Sequence, residues 1–197
     1  MALTSSDLQQ ETDESILRLA RQGDERGFLL LFERHREVVF RLAYRLAGSS
    51  VAEDITHDCF VSLLSGPARF DAMQGSLRTY LYGVVRNLAR KHYWLHHDDT
   101  DFDEWSEEFA GGDPVATRLM IEQETSALVQ EAILSLSIAQ REALVLFQYE
   151  ELSLEEIARI LNVTAGTVKS RLHRARERLR RVLAPHYERR NKNEPVR

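Results

Sequence analysis

Apolar residues recur along this chain at intervals of three and four, and the pattern breaks at short polar or Gly- and Pro-containing stretches. Residues 13–21 read as a short amphipathic helix stopped near Gly23. Residues 24–47 read as a longer one, rich in Leu, Phe and Arg, stopped at Gly48. Ser50-Val-Ala-Glu53 has the form of a capping box, in which Ser and Glu side chains satisfy free backbone N–H groups. It predicts a helix over 51–64 with Val51, Ile55, Cys59 and Leu63 inward. Ser65-Gly66-Pro67 ends that helix, and a loop from Arg69 to Gly75 leads into a helix over 76–94 with Leu81, Val84, Val85 and Leu88 inward. Four further helices are predicted over 118–134, 137–149, 154–161 and 165–184, followed by a polar, frayed tail from Pro185. The expected fold class is all-α, with two small helical domains.

The stretch 95–117 has no apolar period and holds Gly111-Gly112 and Pro114, so it reads as the linker between the domains. Charge sharpens that division. The 197 residues carry a net charge of −5, which by itself argues against nucleic-acid binding. Residues 98–113, however, hold eight acids and no Lys or Arg, whereas residues 165–192 hold ten Lys or Arg against Glu177 and Glu188. The basic end suits a polyanion. The acidic run reads as a solvated tether, with an acidic cover for the basic helices as the alternative.

Several classes drop out. No apolar run approaches the roughly 18 residues that span a bilayer. The N-terminus has no basic start followed by an apolar stretch, so no secretory signal is visible and a cytoplasmic location is expected. One cysteine, Cys59, excludes an intramolecular disulfide framework, and its place on an apolar stripe predicts a buried, inert thiol. His92, His96, His97 and Asp98 form a weak metal-like cluster that reads better as a polar helix end. No nucleophile–base pair or phosphate loop is present, so neither enzymatic activity nor a cofactor is expected.

The strongest local signal runs from Leu152 to Arg176. Ser153-Leu-Glu-Glu156 is a capping box. Leu154, Ile157, Ala158 and Leu161 point inward, Asn162 suits a left-handed turn, Val163 plugs the turn, and Thr164 can cap the next helix. That helix divides by face: Val168, Leu172, Ala175, Leu179 and Val182 inward, and Thr167, Lys169, Ser170, His173, Arg174 and Arg176 outward. A helix apolar on one side and cationic on the other fits the DNA major groove. In the first half, Glu53, Asp54, His57 and Asp58 share an outward face that could dock a basic partner or serve only solubility. From 77 to 94, Tyr80, Tyr82, Tyr93 and Trp94 interleave with Arg78, Arg86, Arg90 and Lys91. Aromatic rings stack unpaired bases while cations follow phosphates. At least half of these aromatics are expected in the core instead.

With these motifs in hand, the chain resembles the extracytoplasmic-function sigma factors of bacterial RNA polymerase over about residues 14–184. Leu152 through Leu179 looks like region four, Ala52–Phe60 like region 2.2, and Ser76–Ala89 like regions 2.3 and 2.4. The resemblance implies a region 2-like domain over 13–94, a linker over 95–117, a region 4-like domain over 118–184 and a tail over 185–197. It places Glu53, Asp54, His57, Asp58 and Phe60 where the family binds the clamp helices of the polymerase β′ subunit. Phe70, with the loop to Gly75, and Arg78, Tyr80, Arg86, Asn87 and Arg90 fall where the −10 element is melted. Lys169, Ser170, His173 and Arg174 fall where −35 bases are read, and Thr167, Arg171 and Arg176 where phosphates are held. Core polymerase and promoter DNA are the implied partners. Many members are restrained by an anti-sigma factor, which makes one a candidate partner here. A stand-alone helix-turn-helix regulator and a sigma-mimicking protein–protein adaptor are the competing readings. The aromatic–basic stretch argues against the first, and the intact basic face against the second.

Overall fold

The computed structural model describes residues 11–65, 70–96 and 118–193, and eight α-helices account for most of those described residues. They are α1 (Asp13–Arg21), α2 (Glu25–Ala47), α3 (Ser49–Ser65), α4 (Leu77–His96), α5 (Arg118–Leu134), α6 (Ile138–Gln148), α7 (Leu154–Leu161) and α8 (Ala165–Asn193). A short 3-10 turn, Ala72–Gln74, precedes α4. The helices fall into two compact units, Met1–Tyr93 and Trp94–Arg197. The acidic run at 98–113, together with His97, lies outside the described residues.

In the first unit α1, α2 and α3 pack on one another. Ile16, Leu31, Leu42, Ile55, Cys59 and Leu63 are fully buried, as their spacing predicts. Polar clamps fix α1 at both ends. At its start, Asp13 accepts from Arg34 Nη1 and pairs with His35 Nε2, both at 2.9 Å. At its end, Arg21 donates to the Leu63 carbonyl, at 2.8 Å from Nη2. That carbonyl is one of the four that α3 cannot satisfy within itself. Gly27 brings α1 and α2 together: a Cβ there would stand 3.0 Å from the Ala20 nitrogen and 3.1 Å from the Ile16 oxygen.

Two expectations need correction. The helix expected from 51 begins at Ser49, so Ser50 is already helical and cannot cap it. Gly48 performs the reversal alone: at φ 88° it donates to the Tyr44 carbonyl and ends α2, and the chain re-enters helix at the next residue. The second is Pro185, which does not end α8. The helix continues to Asn193 with Pro185 inside it. A proline removes one intrahelical bond, and in a 29-residue helix that loss does not terminate the element.

In the second unit α5, α6 and α7 pack around α8. Arg141 is 7% exposed and donates to the Leu134 and Leu136 carbonyls, closing the C-terminal end of α5. The helix-turn-helix forms as its residues dictate. Ser153 and Glu156 make a complete capping box, which holds the Glu156 carboxyl below the usual range through its bonds to the Ser153 hydroxyl and backbone N–H. Asn162 takes the left-handed conformation at φ 53° and ψ 51°. Thr164 Oγ1 accepts from Thr167 N at 3.1 Å at the start of α8.

Gly27→Val should destabilise the first unit by about 2 kcal/mol, because the crowded atoms are backbone and cannot step aside; thermal unfolding followed by circular dichroism measures it. Burial pushes the Cys59 thiol up to about 12. Native protein at pH 8 should therefore resist a thiol-specific disulfide reagent and react fully once denaturant is added. Rapid labelling of the native protein would contradict that burial.

Candidate nucleic-acid and partner interfaces

Three charged or aromatic surfaces stand out from the packed helices. The first lies on α3. Ile55, Cys59 and Leu63 are committed to the core, so Glu53, Asp54, His57 and Asp58 are turned outward and exposed. His57 Nδ1 stands 3.6 Å from Asp58 Oδ1. Phe60 does not join this face. It is 3% exposed and packs on Phe32, with ring centroids 5.0 Å apart. In its place the acidic face holds Val61, 46% exposed, which the sequence reading missed. Its spacing from Asp54, His57 and Asp58 was the available signal, since residues three, four and seven apart share one helix face.

The second surface lies on α4. Leu77, Leu81, Tyr82, Val85 and Ala89 are buried. The opposite side carries Thr79, Tyr80, Gly83, Arg86, Asn87 and Arg90, all partly or fully exposed. Phe70 joins it through an edge contact with Tyr80, at 5.8 Å between centroids. Asp71 Oδ1 accepts from Met73 N at 2.9 Å and shapes the turn before the helix, leaving Met73 93% exposed. Arg78 is separated from this set. At about 100° per residue it lies about 200° around the helix from Tyr80. Its guanidinium donates to the Tyr82 hydroxyl and sits 5.6 Å from that ring. Tyr82 is 0% exposed, so it is a core residue whose hydroxyl needs a partner, and Arg78 supplies one. Trp94 stands 41% exposed near the end of the helix. His92 is half-buried, while the His96 side chain and Asp98 lie outside the described residues, so the weak metal-like cluster is not brought together among those described.

The third surface is the outer face of α8. Val168, Leu172 and Ala175 are buried, and Lys169, Ser170, His173 and Arg174 are exposed opposite them. Ser170 Oγ donates to the Thr167 carbonyl at 2.9 Å, which leaves its oxygen as an acceptor. Thr167, Arg171 and Arg176 lie on the flanks. Thr167 is half-buried and shares a 2.9 Å hydroxyl contact with Thr164. Arg171 is half-buried, its Nη1 covered and without a hydrogen-bond partner among the described residues. Arg176 is exposed but anchored, its guanidinium 5.4 Å from the centre of the Phe147 ring on α6. Nothing in the local spacing marks Phe147 for this role, because the contact crosses between helices. Among the described residues no His, Cys, Asp or Glu group is arranged to hold a metal, and no helix is long and apolar enough to cross a membrane.

Comparison with known proteins identifies the family. Residues 31–94 match sigma-70 region 2, and residues 126–179 match sigma-70 region 4. Over 188 residues the chain is 30% identical to the RNA polymerase sigma-H factor of Pseudomonas aeruginosa, spanning 90% of this chain and 97% of that one. It is 30% identical over 178 residues to the ECF RNA polymerase sigma factor SigW of Bacillus subtilis, spanning 85% and 94% of the two chains. The fold is similar to that of CnrH in complex with the cytosolic domain of CnrY, with a TM-score of 0.64 and 22% identity over 89% of this chain and 99% of that one. It is also similar to the sigma factor RpoE in complex with the anti-sigma factor NepR from Bartonella quintana, with a TM-score of 0.55 and 25% identity over 78% and 94% of the two chains. The chain therefore belongs to the extracytoplasmic-function sigma factors, which direct RNA polymerase to promoters.

Proposed function

We propose that this sigma factor works through the three surfaces in separate roles, in the cytoplasm with core polymerase. The acidic face of α3, Glu53, Asp54, His57 and Asp58 with Val61 among them, docks the clamp helices of the β′ subunit. A patch of carboxylates around one apolar residue suits a basic, amphipathic helical partner. The outer face of α4, with Phe70, holds the melted −10 element. Tyr80 offers a ring for stacking, and Arg86, Asn87 and Arg90 offer charge and amide groups to phosphates and base edges. Arg78, tied to Tyr82 on another side of the helix, serves the core and stands outside this role. The outer face of α8 enters the major groove at the −35 element. Lys169, Ser170, His173 and Arg174 face bases, while Thr167, Arg171 and Arg176 flank them toward phosphates.

The observation that carries this reading is the division of α8: Val168, Leu172 and Ala175 buried, and a cationic face exposed directly opposite. Supporting it is a second surface of different chemistry, aromatic and basic together, which duplex reading alone does not call for. An anti-sigma factor that covers one of these surfaces is a further partner. The support is the likeness to an anti-sigma-bound sigma factor.

Run-off transcription from pooled genomic promoters, with core polymerase and with or without this protein, tests the reading. New start sites sharing two upstream elements are expected. Retained duplex binding without new starts would return the chain to a stand-alone regulator. On the promoter so found, Arg174→Ala should cost about 1–3 kcal/mol and relax preference at one −35 position. Arg176→Ala should weaken binding evenly across sequences and lower the salt slope by about 1.

A further inference from the structure

Among the described glycines, Gly83 stands in the middle of a helix with no internal reason to be there. Gly23, Gly48 and Gly75 adopt positive φ values of 92°, 88° and 145°, which other residues rarely take. Gly27 is needed where α1 and α2 nearly touch. Gly83 meets neither condition. Its φ is not in the left-handed region, and a Cβ built on it would find, among the described residues, no atom within 4 Å beyond its chain neighbours and its own helix's backbone. Glycine in a helix interior weakens the helix, because it has more backbone freedom to lose than any other residue. A glycine that neither the turn nor the described packing needs is one of the marks of close approach by a ligand.

Its position says what approaches. Gly83 lies on the outer side of α4, opposite buried Leu81, Tyr82 and Val85. Tyr80 stands one turn before it, and Arg86 and Asn87 one turn after. Tyr80 and Asn87 are about 10 Å apart along the helix axis at about 1.5 Å per residue. The bare helix at Gly83 is therefore a notch between a ring suited to stacking and a cation suited to a phosphate.

We propose that Gly83 is a nucleic-acid contact position, where the sugar–phosphate backbone of the unpaired −10 strand crosses α4 in direct contact with the helix. The strand's base stacks toward Tyr80 and its phosphate meets Arg86. This rests on the reading of α4 as the −10 surface. It adds a residue whose contribution is the space it leaves.

The test exploits opposite signs. Gly83→Ala and Gly83→Leu put good helix formers at a position where an added Cβ meets no described atom outside the helix's own backbone. Both full-length variants should melt at or above the wild-type temperature and should bind core polymerase as the wild type does. Run-off initiation from a promoter selected with the wild type should nevertheless fall, by about tenfold for Gly83→Leu and less for Gly83→Ala, the scale of losing one base-level contact. A leucine variant that initiates as well as the wild type overturns the proposal. So does a variant that melts lower or loses core binding, because Gly83 would then serve the fold. A wild-type chain that opens no promoter would instead overturn the sigma-factor reading of α4 itself, and this inference with it.

Discussion

Burial of Val168, Leu172 and Ala175 against the other helices of the second unit is the commitment on which the cationic outer face of α8 depends. A cationic helix alone in water would fray, since its charges repel and short helices are marginal. Once one stripe is fixed in the core, the side chains opposite are fixed in direction as well. Lys169, His173 and Arg174 then leave from one side, on successive turns. The capping box at Ser153 and the left-handed Asn162 set where α7 ends and α8 begins, and so which residues occupy the first turns of α8. Arg176 extends the same logic beyond its own helix, because Phe147 on α6 holds its guanidinium.

The first unit applies this rule to two other chemistries. On α3 the buried stripe of Ile55, Cys59 and Leu63 leaves an acidic face outside. On α4 the buried stripe leaves rings, cations and a glycine outside. Polar clamps from α1 hold the frame beneath them. Arg21 caps the Leu63 carbonyl in the last turn of α3, and Asp13 joins Arg34 and His35 of α2. These bonds are partly shielded, and each satisfies a group that would otherwise face poor solvation.

Surfaces of this size bind DNA weakly one at a time, and phosphate contacts alone supply affinity that salt erodes. In the proposed function, two such surfaces on one chain held by polymerase raise the local concentration of each at its own element. Specificity then comes from two modest readings made together. On the proposed assignment, the α4 face differs chemically from the α8 face because an unpaired strand offers ring faces and a mobile backbone, whereas a duplex offers groove edges.

Much of this was legible in the sequence, because helix period and local chemistry act over a few residues. The all-α class, the start and end of α1, the capping box at Ser153, the turn at Asn162 and the faces of the first turns of α8 follow from residues three or four apart, while Leu179 and Val182, expected inward, are only half-buried. So did the buried state of Cys59. What the tertiary structure decided turns on contacts between distant residues. Tyr80 and Tyr82 are alike in sequence, but one reaches the surface and the other fills the core with Arg78 on its hydroxyl. Phe60 looked like part of the docking face and is instead held by Phe32. Gly48 replaced the expected cap at Ser50, and α8 ran through Pro185. Gly27 and Gly83 are the same residue in two helices, yet one is pressed against a neighbouring backbone and an added Cβ at the other meets no described neighbour. Spacing along the chain fixes which way a side chain leaves its helix, but only packing fixes what it meets there.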